Sequence, residues 1–190
     1  EKLYGGKVGK NDPTVYGRDW YLDANNRKIG VRHYDPYDYL VKDVAVAQTH
    51  NVSVNGKSGK TTFNIGLGYL DQDGMNKAAK EDNFKRYNAS INLTTEFNKW
   101  ITLKAGAIYS KREKSYPYNA TGVFDPWYYC YRWSDIYPMG TDENGNELRS
   151  PASEFSQANT AKMTRNYTNI NMGLHLNILK LSLIHISEPT

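Results

Sequence analysis

The residues best suited to chemistry in this sequence are aromatic. Phe124, Trp127, Tyr128, Tyr129, Tyr131, Trp133 and Tyr137 fall in one short stretch, and aromatic faces gathered this way can stack on sugar rings. Holding a loop together is the competing role of any one ring. Trp127, Tyr129 and Trp133 are the candidate ligand contacts. Other chemistries find less support. Asp71-Gln72-Asp73-Gly74 and Asp142-Glu143-Asn144-Gly145-Asn146 carry the acids of a calcium loop, but the glycine is misplaced and the closing glutamate is missing, so both read as turns. The four His lie far apart without a partner at metal-ligand spacing. Lone Cys130 can make no internal disulfide, and no nucleophile and base can be paired. Neither an enzyme nor a cofactor or metal is expected.

Strands must position these residues. The chain has 190 residues, 39% hydrophobic and 23% charged, values of an ordinary globular protein. Its 16 Tyr against 5 Phe, with abundant Asn, Thr and Gly, favour strands and turns over helices. A net charge of +4 from 24 basic and 20 acidic residues is spread along the chain, so no nucleic-acid partner is expected. Short basic clusters, Lys85-Arg86 and Lys111-Arg112, read as solvated strand ends that could also face anionic headgroups.

Residues 1–46 are rich in Gly, Asp, Asn, Pro and Tyr without a period and read as an irregular loop. From Gln48 a period of two sets in: His50, Val52 and Val54 share a face, and Gly56–Gly59 follows as a tight turn. Phe63, Ile65, Leu67 and Tyr69 then alternate with Asn64, Gly66 and Gly68. After a loop to about Asn83, Tyr87, Ala89, Ile91, Leu93 and Phe97 alternate with Asn88, Ser90, Asn92 and Glu96. Asn98-Lys99 reads as a two-residue hairpin connection, after which Ile101, Leu103, Ala105, Ala107 and Tyr109 share a face. A long loop over about 111–161 precedes a fifth strand with Ile170, Met172, Leu174 and Leu176 on one side. Residues 181–190 resemble a translated sequencing-adapter tail and carry no weight in the fold expectation. Asn51, Asn88 and Asn92 begin glycosylation-type triplets, yet all lie within strands and match by chance.

The fold class is therefore all-β and antiparallel, and three features favour a transmembrane β-barrel over a sandwich. The strands are long enough to cross a bilayer at a tilt. Connections alternate short and long, as in outer-membrane barrels. Tyr69, Tyr87 and Tyr109 sit beside long loops while Phe97 and Trp100 flank a short turn, the placement of two interfacial girdles. Between them the apolar face carries no charge, whereas the other face holds Arg86, Glu96 and Lys104. No run of about 18 apolar residues offers a transmembrane helix, and the mean hydropathy of -0.74 suits such alternation. About five strands cannot close a barrel, so residues 47–180 are expected to be part of a larger one.

Asn51-Val52-Ser53-Val54-Asn55-Gly56, Lys60-Thr61-Thr62-Phe63-Asn64, Gly68-Tyr69-Leu70-Asp71-Gln72-Asp73-Gly74, Phe84-Lys85-Arg86-Tyr87-Asn88 and Asn98-Lys99-Trp100-Ile101-Thr102-Leu103, in this order, resemble early barrel strands of SusC/RagA TonB-linked proteins. Lys57 departs from the family's frequent second glycine. The resemblance implies a 22-stranded, plugged barrel in the bacterial outer membrane that imports glycans or peptides. It further implies a SusD-like lipoprotein lid, against which the aromatic loop could pack, and energy from TonB–ExbB–ExbD through an N-terminal part. The competing expectations are a secreted or surface β-sandwich binding carbohydrate and an outer-membrane barrel with no transport role.

Overall fold

The computed structural model describes residues 8, 9, 11–118, 122, 125–179 and 182–187, with the backbone alone for 178, 179 and 182–187. The elements run β1 (Trp20–Leu22), β2 (Lys28–Gly30), α1 (Pro36–Leu40), β3 (Ala47–Ser58), β4 (Thr61–Asp73), β5 (Asn83–Glu96), β6 (Ile101–Tyr118), α2 (Pro126–Arg132), α3 (Pro151–Gln157), β7 (Asn159–Leu179) and β8 (Ser182–Ser187). The fold is all-β with antiparallel sheets. No described helix is long and apolar enough to cross a membrane. The chain divides into two compact units. One takes in the described residues of Glu1–Val46, Asp73–Asn83 and Ser115–Lys162; the other takes in those of Ala47–Gln72, Phe84–Lys114 and Met163–Thr190.

The second unit is a meander in the order β3-β4-β5-β6-β7-β8. Its first hairpin pairs His50 with Tyr69, Val52 with Leu67 and Val54 with Ile65, so the apolar set of each strand meets that of its neighbour. The turn falls at Gly59-Lys60, between paired Ser58 and Thr61, and not over Gly56–Gly59. Gly59 has φ +59°, which the first central position of a type II′ turn demands and Gly56 would leave to a lysine. The next short connection also differs from expectation. The Asn98 carboxamide oxygen accepts from Trp100 N at 2.8 Å and Ile101 N at 2.9 Å, and Phe97 N donates to Ile101 O. That side chain holds residues 97–100 in a longer link than two residues.

Six strands stand where five were expected. Ser182–Ser187, in the segment set aside as a tail, pairs with β7 through Leu174↔Ile186 and Leu176↔Ile184. Residues 181 and 188–190 lie outside the described residues. β6 and β7 also continue well into the span read as a loop, to Tyr118 and from Asn159.

The first unit holds the hydrophobic core: Tyr34, Leu40, Met139 and Phe155 are fully buried, with Val41 and Cys130 beside them. Both stretches that supply these residues, within 1–46 and 111–161, were expected to be loops. Each of its three helices opens on a capping side chain followed by proline. Asp35 accepts from Tyr37 N and Asp125 from Trp127 N, both at 3.0 Å, and Ser150 forms a capping box with Ser153. Such caps satisfy amide groups that helices this short cannot satisfy internally. Backbone bonds from Lys42 N to Met75 O and Lys77 N to Leu40 O, both 2.9 Å, tie the 73–83 segment to α1.

Candidate functional site

In the second unit the apolar face is laid out as the alternation required and is left bare. Val52, Leu67, Ile170 and Met172 are 63, 59, 65 and 68% exposed, and Ile65 and Ile91 are exposed as well. Phe63, Leu93 and Leu103 are half-buried by their neighbours in the sheet. Among the described residues all buried hydrophobic side chains belong to the first unit, and those of this sheet form no core. A sheet face of this kind is stable only against another apolar surface or an apolar medium.

The rims of that face are aromatic. At the long-loop end His50 stacks on Tyr69 at 6.4 Å, and Tyr69 meets Tyr87 at 5.2 Å between centroids. Tyr109 donates to Asn166 Oδ1 at 3.3 Å on the same rim. At the opposite end Phe97 is 52% exposed, while Trp100, 56% exposed, stands one residue before Ile101 and out of step with the apolar set. Among the described residues charge enters beyond the tyrosines, where Lys85 faces Asp71 at 3.9 Å and Lys111 pairs with Glu113 at 2.7 Å.

The opposite face is polar and tightly set. Ser110 Oγ donates to Asn88 Oδ1 at 2.8 Å, and Asn64 donates to Asn55. A Cβ placed on Gly106 would come within 2.7 Å of Asn171 Oδ1 and 2.9 Å of Asn92 Oδ1, so glycine there lets two carboxamides from flanking strands close over β6. A shallow hollow of about 280 Å³ opens between Asn51, Ser53, Gly66, Gly68, Asn88 and Ser90.

The aromatic candidates of the first unit divide by burial. Trp127 is 46% exposed and packs edge-on against Tyr37 at 5.8 Å. Tyr129 meets the buried Phe155 at 5.7 Å, and Trp133 lies against the core and Tyr137 at 5.6 Å. Trp127 therefore offers a ring to solvent, while Tyr129 and Trp133 spend much of theirs on packing. Phe124 lies outside the described residues. Sequence reasoning missed Asp19, buried where Val15 N, both Arg18 donors and Arg32 converge. Burial alone would raise its carboxyl, but the Arg18 and Val15 hydrogen bonds and the positive charge of Arg18 and Arg32 outweigh it and hold it below the usual range. Nothing in the local pattern of a Gly-Arg-Asp-Trp stretch signals such burial.

Of the two calcium-like stretches expected as turns, Asp142–Asn146 is one, whereas Asp71-Gln72-Asp73 is the end of β4. Asp142 accepts from Asn146 Nδ2 at 3.0 Å and from Asn146 N and Asn144 N at 2.8 Å, bonds that keep its carboxyl below the ordinary range. Asp71 is engaged by Tyr69 OH at 2.9 Å. Among the described residues no three His, Cys, Asp or Glu side chains gather at a common point. Cys130 is a free, buried thiol, and burial raises its pKa.

No family model matches the chain. A curated relative, the TonB-dependent receptor SusC of Bacteroides thetaiotaomicron, is 32% identical over 83 residues. This chain is similar to part of that receptor. The match takes in 44% of this chain and 8% of the receptor, so the chain spans a small fraction of its relative's length.

Proposed function

We propose that the chain is part of a TonB-dependent outer-membrane transporter of the SusC/RagA type, with β3 to β7 forming a sector of its barrel wall. The observation that carries this reading is the bare, uncharged apolar face bounded by an aromatic rim at each end. Hydrocarbon would cover that face, and the two rims would lie at the headgroup levels. Phe63, Ile65, Leu67, Ile91, Leu93 and Leu103 would meet lipid; Tyr69, Tyr87 and Tyr109 would form the outer girdle, and Phe97 and Trp100 the inner one. The polar face would border the lumen. The open edges of the sheet would pair with further strands of a barrel of about 22, since unpaired backbone is not tolerated in lipid. Residues 1–46 and 111–161 would lie outside the cell.

Similarity to SusC supports import in a bacterial outer membrane, with glycan or peptide as cargo and Trp127 as the most accessible of the proposed ligand contacts. A SusD-like lipoprotein as lid and TonB–ExbB–ExbD as energy source, reached through an N-terminal part of the protein, complete the proposal. Catalysis has no place in it. The test places an environment-sensitive label at cysteines substituted for Ile65 and Leu93 in the complete gene product carrying Cys130→Ser. Labels in lipid vesicles should report hydrocarbon and resist aqueous quencher. Bulk-water spectra at both positions, or a product soluble without detergent, would refute the reading.

A further inference from the structure

The basic dipeptides of the sheet are split between its faces. Lys85 and Lys111 lie on the apolar side, where Asp71 and Glu113 neutralise them, so Arg86 and Arg112 must point to the polar side. Register places these two arginines next to each other. Across β5 and β6, Phe97 N donates to Ile101 O, Asn92 and Gly106 are adjacent, and Asn88 meets Ser110. Two residues further along the same pairing, Arg86 stands opposite Arg112.

The next strand adds a third. Across β6 and β7, Asn177 N donates to Trp100 O and Asn171 lies against Gly106, a pairing that continues to Arg112 opposite Arg165. The Tyr109 bond to Asn166 on the apolar face fixes the parity, since Asn166 there puts Arg165 on the polar face. Three guanidinium groups therefore stand in a row across three neighbouring strands, spanning about 10 Å at the ordinary interstrand spacing.

Nothing described on that face balances them. None of the three forms an ion pair among the described residues. The carboxylate on the polar face is Glu96, ten residues down β5 from Arg86 and so roughly 33 Å away. Half-buried Arg86 has its Nε shielded from solvent with no acceptor. Like charges directly across strands oppose pairing, and a shielded, unmatched guanidinium nitrogen costs more still. Arginine's planar fork matches carboxylates two bonds at a time. A row suits charges distributed along an extended ligand better than one compact anion, which a pair of arginines would satisfy. Tyr167, 58% exposed on the same face of β7, supplies an aromatic surface one pair away.

We propose that Arg86, Arg112 and Arg165 form a binding row for an extended ligand bearing two or three carboxylates. The row follows from the register of the sheet and does not depend on what covers the apolar face, so it stands or falls separately from the labelling at Ile65 and Leu93.

The test titrates the complete gene product, purified in neutral detergent, with triglutamate and with trigalacturonate, and with maltotriose as an uncharged control. Binding of either acidic probe that weakens with added salt, and about tenfold or more in Arg112→Gln, is the expected result, on the scale of one charge-assisted bond lost; which probe binds identifies the source of the carboxylates. Without ligand, Arg112→Gln should unfold at a higher urea concentration, because the central charge of the row is gone. Failure of both acidic probes to bind, unchanged binding in the triple Arg→Gln variant, or a lower urea midpoint for Arg112→Gln would overturn the proposal.

Discussion

Ile65→Arg is the sharpest perturbation of the membrane reading. Along β4, Ile65 lies four residues from Tyr69 of the outer rim and four from Thr61, which bonds to Thr95 two residues short of Phe97 of the inner rim. Four residues at about 3.3 Å each reach about 13 Å along the strand, or about 9 Å of depth at a tilt near 45°. Ile65 would then sit near the bilayer midplane, with its side chain 39% exposed on the apolar face. An arginine there costs about 2–4 kcal/mol, roughly 30- to 900-fold in the folding equilibrium. On a sheet face wetted by water the same change would stay within about 0.5 kcal/mol.

The control is Ser53→Arg. Ser53 pairs with Gly66, one residue from the Val54↔Ile65 pair and so at nearly the same depth, but it points to the polar face. Urea unfolding of the complete gene product in phosphatidylcholine vesicles, followed by tryptophan fluorescence, compares the two. Ile65→Arg should lower stability by at least about 2 kcal/mol more than Ser53→Arg. Equal effects from the two substitutions would refute the assignment of faces, and an Ile65→Arg cost under about 0.5 kcal/mol would remove lipid from the argument.

Two further outcomes follow from the first unit. Asp19 is held below its unfolded value, so its contribution to stability is complete above the ordinary carboxylate range near pH 4 and is lost as pH falls through the lowered folded value. Asp19→Asn should cost roughly 1–3 kcal/mol at neutral pH and flatten the acid limb of urea midpoint against pH; an unchanged limb would show that Asp19 does not titrate with folding. Trp127→Ala should leave the urea midpoint within about 0.5 kcal/mol while weakening cargo binding, whereas Trp133→Ala, against the core, should cost about 3 kcal/mol or more. The reverse ranking in stability would mean that the burial of these two rings has been misassigned.

Much of the sheet was legible because its signal is local. Alternation in Thr61–Tyr69 or Tyr87–Phe97 assigns each side chain to a face before any partner is known, and pairing of Val52 with Leu67 and Val54 with Ile65 follows once the turn is placed. The turns themselves were less legible. Gly59-Lys60 and the link held by Asn98 depend on which residue takes a positive φ and which side chain captures an amide, and several neighbours could have served. The helices had a readable signal in Asp35-Pro36, Asp125-Pro126 and Ser150-Pro151. Helices of five and seven residues are too short for a 3.6-residue period to emerge, so the prolines read as loop formers.

By itself the sequence determined an all-β chain, the two faces of its strands and the aromatic residues that end them, because a period of two is carried by adjacent residues. Only the tertiary structure decided that Tyr34, Leu40, Met139 and Phe155 meet in one core, that Asp19 is buried among arginines, that Trp127 is exposed while Trp133 packs inward, and that Arg86, Arg112 and Arg165 share a row. Each of these joins residues far apart in the chain. Their meeting depends on register and on burial summed over many weak contacts, which no short stretch of sequence contains.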